Sequence, residues 1–155
     1  MGSLAVVCAA LCLAAALTLG PGTSATAGPA PDVRDCSVYT LRGLYLWTFD
    51  GYTRVGGNLL PKGVMQGLQF NGDGTTYNPF GTVNIGGAIL IDAGGASGTY
   101  TVNPDCTGTL SPAPGAPTFN IYVGPGGKQL WTIETDVGPG DGTGLSVGTA
   151  TRLPQ

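Results

Sequence analysis

Val64-Met65-Gln66-Gly67-Leu68-Gln69-Phe70-Asn71-Gly72-Asp73-Gly74-Thr75-Thr76-Tyr77 is the stretch that decides the fold class. Val64, Gln66, Leu68 and Phe70 alternate with Met65, Gly67 and Gln69, the two-residue period of a strand whose side chains point to opposite faces. Asn71-Gly72-Asp73-Gly74 then supplies residues that tolerate a left-handed backbone, so the chain reverses here as a hairpin and resumes as a strand at Thr75.

The same period continues upstream. Leu41, Gly43, Tyr45, Trp47 and Phe49 share one face, while Arg42, Leu44, Leu46, Thr48 and Asp50 share the other. Leu44 and Leu46 make the second face apolar as well, which predicts cover on both sides. Downstream, residues 75–85 form a third strand broken around Pro79, which cannot donate to a ladder and requires an edge or a bulge. Residues 88–92 and their continuation 97–103 follow, then a turn at Asn103-Pro104-Asp105. Further strands fall at 107–111, 118–123, 128–135 and 145–153, separated by a proline-rich stretch and by glycine-rich loops. No segment sustains a 3.6-residue apolar period. The expected fold is therefore all-β, with about eight antiparallel strands closed into a barrel whose interior fits side chains or one small ligand. A two-sheet sandwich is the alternative.

Residues 4–19 are almost wholly apolar, and Ala25-Thr26-Ala27 before Gly28 offers the small-x-small pattern that signal peptidase accepts. The expected organisation is a signal peptide over 1–27, an N-terminal arm over 28–37 and a barrel domain over 38–155, in a secreted or otherwise extracytoplasmic protein. A membrane anchor is the rival, but the run is about 16 residues against the roughly 20 needed to span a bilayer. Cys8 and Cys12 lie inside that run rather than at its end, where lipid attachment would need one. Cleavage leaves Cys36 and Cys106, an even pair in an oxidising compartment and an expected disulfide. Neither cysteine sits directly beside Lys, Arg or His, so a reactive thiolate is disfavoured.

Composition narrows the chemistry further. With no histidine and Glu134 as the sole glutamate, the chain lacks most residues from which hydrolases and metalloenzymes build sites. Arg34, Arg42, Arg54, Lys62, Lys128 and Arg152 are scattered in a chain of net charge -3, so no concentrated basic face exists to neutralise phosphates, and nucleic-acid binding is not expected. Gly124-Pro125-Gly126-Gly127-Lys128 lacks P-loop spacing and reads as a turn. Asp136 with Asp141, and Asn71 with Asp73, lack the longer spacing of calcium loops.

The segment Gly98-Thr99-Tyr100-Thr101-Val102-Asn103-Pro104-Asp105-Cys106-Thr107-Gly108-Thr109-Leu110 resembles a recurring signature of secreted bacterial proteins with allene oxide cyclase-like barrels. Cys36-Ser37 with Leu41-Arg42-Gly43-Leu44-Tyr45 resembles the opening strand of that group. Phe70-Asn71-Gly72-Asp73-Gly74 is similar to its first hairpin, and Gly148-Thr149-Ala150 to its ending. The resemblance implies a closed barrel and cofactor-free isomerisation or cyclisation of an apolar substrate. The plant enzymes use a buried glutamate and an asparagine-held water near the first strand; residues 41–49 contain no carboxylate, so that arrangement does not transfer.

Tyr45, Trp47 and Phe49 on one face, with Gln129, Trp131 and Ile133 on another, are candidates for an aromatic wall, with simple barrel filling as the plainer role. The expected substrate-binding residues are Tyr45, Trp47 and Trp131. Glu134 alternates with Thr132 and Asp136; facing a cavity it would act as a proton donor or base, and Arg42 would pair with it or polarise a substrate oxygen. Tyr100, Tyr122, Asn78, Asn84, Asn120 and Gln66 are further hydrogen-bonding groups. The expected function is a cofactor-independent cyclase or isomerase acting on a polyene- or epoxide-type small molecule by conformational confinement. A non-catalytic carrier and an envelope interaction domain are the alternatives. Apolar second faces on the first strand and on 128–135 add a homo-oligomer to the expectations.

Overall fold

The computed structural model describes residues 35–92, 94–135 and 144–154. The expected leader and residues 28–34 of the arm lie outside the described residues, as does most of the loop 136–144. Among the described residues, ten strands form one antiparallel sheet: β1 (Gly43–Val55), β2 (Asn58–Phe70), β3 (Thr75–Asn78), β4 (Gly81–Ile85), β5 (Ala88–Asp92), β6 (Ala96–Tyr100), β7 (Thr107–Ser111), β8 (Phe119–Val123), β9 (Gln129–Glu134) and β10 (Leu145–Arg152). Because β1 pairs with β10 along one edge and with β2 along the other, the ring β1-β10-β9-β8-β7-β6-β3-β2 closes on itself. This is the expected eight-stranded barrel, and the sandwich alternative falls.

The interruption expected at Pro79 splits the third strand into β3 and β4. Across the break, Gly67 N–H donates to the Phe80 carbonyl at 2.8 Å and Gly95 N–H to the Asn78 carbonyl at 2.8 Å, so pairing resumes beyond it. Next to it, β6 pairs with β7 only through Thr99 and Tyr100. The β4–β5 ribbon therefore runs on beyond the point where that part of the barrel wall ends, and β5 is the last strand of the sheet order.

Strand alternation sends every second side chain inward. Tyr45 and Trp47 of β1, Leu68 and Phe70 of β2, Leu110 of β7, Ile121 of β8, Leu130 of β9 and Ala150 of β10 are fully buried. Aromatic rings meet edge to face through this core: Tyr45 on Phe70 at 5.0 Å, Phe70 on Tyr100 at 4.8 Å, and Trp47 on Phe119 at 4.9 Å. Such pairs add about 0.5–1.5 kcal/mol each beyond area burial.

One end of the barrel is sealed. A single 3₁₀ turn, Val38–Thr40, carries the chain across it and drops Leu41 into the core. The Tyr100 hydroxyl reaches the carbonyls of Val38 at 2.7 Å and Leu41 at 3.1 Å, and Arg152 Nη2 donates to the Thr40 carbonyl at 3.2 Å. Cys36 and Cys106 form the expected disulfide, 70 residues apart in sequence. Among the described residues, no helix is long and apolar enough to cross a membrane.

Candidate functional site

Among the described residues, the interior is filled at the sealed end and hollow toward the other. The aromatic core occupies the lower lumen, while the mouth holds a cavity of about 270 Å³, just below the roughly 300–1,000 Å³ range of small-molecule sites. Phe49 and Phe119 form its floor, and Val64, Val83, Pro112 and Pro117 add apolar wall. Three polar side chains break this lining: Lys62, Gln66 and Asn78. Strand period explains the set, since Lys62, Val64 and Gln66 project from one face of β2 and Asn78 closes the inward face of β3.

Asn78 is 4% exposed, and its Oδ1 has no hydrogen-bond donor among the described residues. A buried acceptor left unpaired costs roughly 1–3 kcal/mol, so this atom is suited to a donor supplied from outside the chain. Thr76 Oγ1, two residues earlier on the same face, is likewise unpaired.

Lys62 marks the cationic corner of the cavity. Its ammonium lies 3.0 Å from Glu134 Oε2 and 5.7 Å from the centroid of the Phe49 ring. The Glu134 side chain, 1% exposed, also accepts from Ser146 Oγ at 2.5 Å. Gly144 packs directly on this carboxylate: a Cβ there would fall 1.9 Å from Glu134 Oε1. Two residues before Glu134 on the same face of β9, Thr132 Oγ1 accepts from the Trp47 indole N–H at 3.2 Å.

The expected site residues are thus separated rather than gathered. Tyr45 and Trp47 point inward as the period predicts, yet both have no exposed surface and serve as core, leaving Phe49 and Phe119 as the aromatic lining. Trp131 does not line the lumen. It stands on the outer face, 47% exposed, because the inward residues of β9 are Leu130, Thr132 and Glu134. Glu134, for which a solvated position on the strand is the plainer expectation, is inward instead, but its partner is Lys62 and it sits behind that ammonium. Arg42 is exposed at the sealed end and borders a shallow groove with Lys128 and Arg152. Lys62 pairs with Gly51, nine positions along from Arg42 and about 30 Å of strand away, so Arg42 and Glu134 do not meet.

Among the other hydrogen-bonding candidates, Gln66, Asn78 and Tyr100 face inward, whereas Tyr122 and Asn120 face out and Asn84 accepts from Gly87 N–H in a hairpin. At the sealed end Tyr45 donates to the Gly127 carbonyl and accepts from Arg152 Nε at 3.0 Å. Burial holds the phenols of Tyr45 and Tyr100 above the ordinary tyrosine range.

Sequence reasoning missed Lys62. Its signal was the unbroken alternation back from Val64, which puts Lys62 on the inward face of β2. No family model, curated protein or solved structure matches this chain.

Proposed function

We infer that this barrel binds a compact, largely apolar small molecule at its mouth, with a hydroxyl or similar donor directed at Asn78 Oδ1 and an acceptor directed at Lys62. The observation that carries this reading is the unpaired, buried carboxamide oxygen bordering a cavity that Phe49, Phe119, Val64 and proline wall together with Lys62 and Gln66. An apolar pocket with few convergent polar groups is the usual form of a small-molecule site. Retention of apolar alcohols and phenols, followed by mass spectrometry of the washed protein, tests it. Asn78→Leu should weaken binding of the donor-bearing compound at least tenfold and leave its methyl ether little changed, a loss of about 1.4 kcal/mol or more. Equal binding of alcohol and ether by both proteins would refute the assignment.

A second reading, a cofactor-free cyclase or isomerase acting on an epoxide or polyene, is favoured by one further observation. A fixed ammonium, anchored by Glu134 and set beside the Phe49 ring, adjoins an apolar cavity that would hold a flexible substrate folded. Such a cation polarises an epoxide or carbonyl oxygen without a metal, and confinement lowers the entropic part of the barrier. In this reading Lys62 touches the substrate and Glu134 positions it. The resemblance to allene oxide cyclase-like barrels supports the same chemistry. Recovery of a rearranged product, lost in Lys62→Met, would select catalysis; recovery of unaltered ligand would select carriage. Export is the expected setting, supported by the leader pattern and by the disulfide.

A further inference from the structure

The strand β5, Ala88-Ile89-Leu90-Ile91-Asp92, pairs with β4 and with no other strand among the described residues. Ile89, Leu90 and Ile91 are 66%, 59% and 82% exposed. Proteins ordinarily blunt such an edge with lysine, proline or a bulge, because unpaired backbone groups template further pairing. None of these devices is present: β5 contains neither lysine nor proline, and its register with β4 is unbroken from Ala88 to Asp92.

The hairpin geometry fixes which backbone groups are free. Gly86 and Gly87 have φ of 58° and 94°, the left-handed pair of a two-residue type I′ turn. Ile85 and Ala88, which flank that turn and face each other, therefore exchange both backbone hydrogen bonds. Alternation then turns the N–H and C=O of Ala88, Leu90 and Asp92 toward β4, and those of Ile89 and Ile91 away from it.

We propose that this edge pairs with β5 of a second copy of the chain, antiparallel, about a two-fold axis through Leu90. In that register Ile89 faces the partner's Ile91 and Ile91 faces the partner's Ile89, and each pair exchanges both of its free backbone bonds. Leu90 meets the partner's Leu90 at the axis, on the opposite side of the ribbon. In this register Asp92 falls opposite the partner's Ala88 along the backbone.

Self-complementarity selects a second copy over an unrelated extended segment: the outward-bonding residues are the same type, spaced evenly about a central leucine. Ile91 also continues an outer row in which it pairs with Thr82 and Thr82 with Met65, the last 54% exposed beside Phe80, while Ile89 pairs with Asn84. The axis sets the isoleucines of the two molecules side by side on one outer face, flanked by Thr82 and Met65 of each. Because β5 is the one free sheet edge among the described residues, the contact closes at two copies and does not propagate. A ladder this short belongs to the small, weak class of interface, so the dimer should form in the micromolar range. This proposal is independent of the mouth cavity.

Sedimentation velocity of the purified protein, from micromolar to hundreds of micromolar, provides the test together with two variants. Leu90→Lys sets two ammonium groups against each other at the axis. Ile91→Pro removes only an N–H that points away from β4, so the internal ladder survives. Both should weaken dimerisation at least tenfold while preserving the thermal midpoint of the dilute protein. In the parent protein, amide exchange at Ile89 and Ile91 should slow as concentration rises, with Leu90 protected throughout. A monomer at the highest concentration, a dimer that both variants retain, an open-ended series of oligomers, or concentration-independent exchange at Ile89 and Ile91 would each overturn the proposal.

Discussion

Glu134 is a carboxylate sealed inside a β-barrel, and what holds it there is a short set of donors: Lys62 Nζ at 3.0 Å and Ser146 Oγ at 2.5 Å. A buried ion pair is weak evidence of net stabilisation, since desolvating two charges offsets much of their attraction, but removing one partner strands the other. Glu134→Leu should therefore destabilise the protein by about 3–5 kcal/mol, and Lys62→Met added to it should recover most of that loss. Denaturant unfolding of the two single variants and the double variant measures the coupling; additive losses would mean that the pair is not energetically linked. The strand period placed Glu134 with Thr132 and opposite Trp131 and Ile133, which is how β9 is built. What the period could not reveal was which face is inward. Both faces of β9 carry apolar residues, and bulk alone favours burying the tryptophan. The choice was decided across the barrel, where Trp47 requires an acceptor and Lys62 a counter-ion.

At the scale of elements, two turns at the sealed end are built from the same five-residue device, Asn71-Gly72-Asp73-Gly74-Thr75 and Asn103-Pro104-Asp105-Cys106-Thr107. In each, the threonine N–H and hydroxyl both reach the aspartate Oδ1, at 2.9 and 2.6 Å in the first and 3.0 and 2.7 Å in the second. In each, the asparagine carboxamide donates to the threonine hydroxyl. The residue before the threonine is left-handed in both, with φ of 93° at Gly74 and 68° at Cys106. These hydrogen bonds, the threonine side chain first and its backbone N–H second, hold Asp73 and Asp105 below the ordinary carboxylate range. A carboxyl whose folded pKa lies below its unfolded value stabilises the fold above the unfolded value, near pH 4, and that contribution disappears as pH falls through the folded value. Thermal midpoints measured from about pH 5 down to pH 2 should fall more shallowly in Asp73→Asn/Asp105→Asn than in the parent; parallel curves would mean that the turns do not sense protonation. The hairpin at Asn71 was legible because asparagine, aspartate and glycine announce a reversal. Its likeness to the second turn was hidden by a proline and a cysteine standing where glycines stand in the first.

For the molecule as a whole, closure was legible and filling was not. Eight regularly spaced strands without helical period leave few ways to cover two apolar faces, and a cylinder is the simplest of them. How much lumen remains depends instead on the summed volume of one inward set, and Tyr45, Trp47, Phe70, Tyr100 and Phe119 together occupy the lower half. The disulfide acts at this same scale. It ties the arm to the turn between β6 and β7, and the enclosed segment contains β1 through β6. Closing a loop of that length removes about 4 kcal/mol of chain entropy from the unfolded state in the loop-closure model. Reduction should lower unfolding stability by about that amount and raise the denaturant slope, since the unlinked chain exposes more surface. The left-handed backbone at Cys106 adds a discriminating comparison, because L side chains are disfavoured there by about 1–2 kcal/mol while glycine is not. Cys36→Ala/Cys106→Gly should accordingly be about 1 kcal/mol more stable than Cys36→Ala/Cys106→Ala. Equal stabilities would show that the turn relaxes once the crosslink is gone, and that the bond, rather than the turn sequence, imposes the conformation of Cys106.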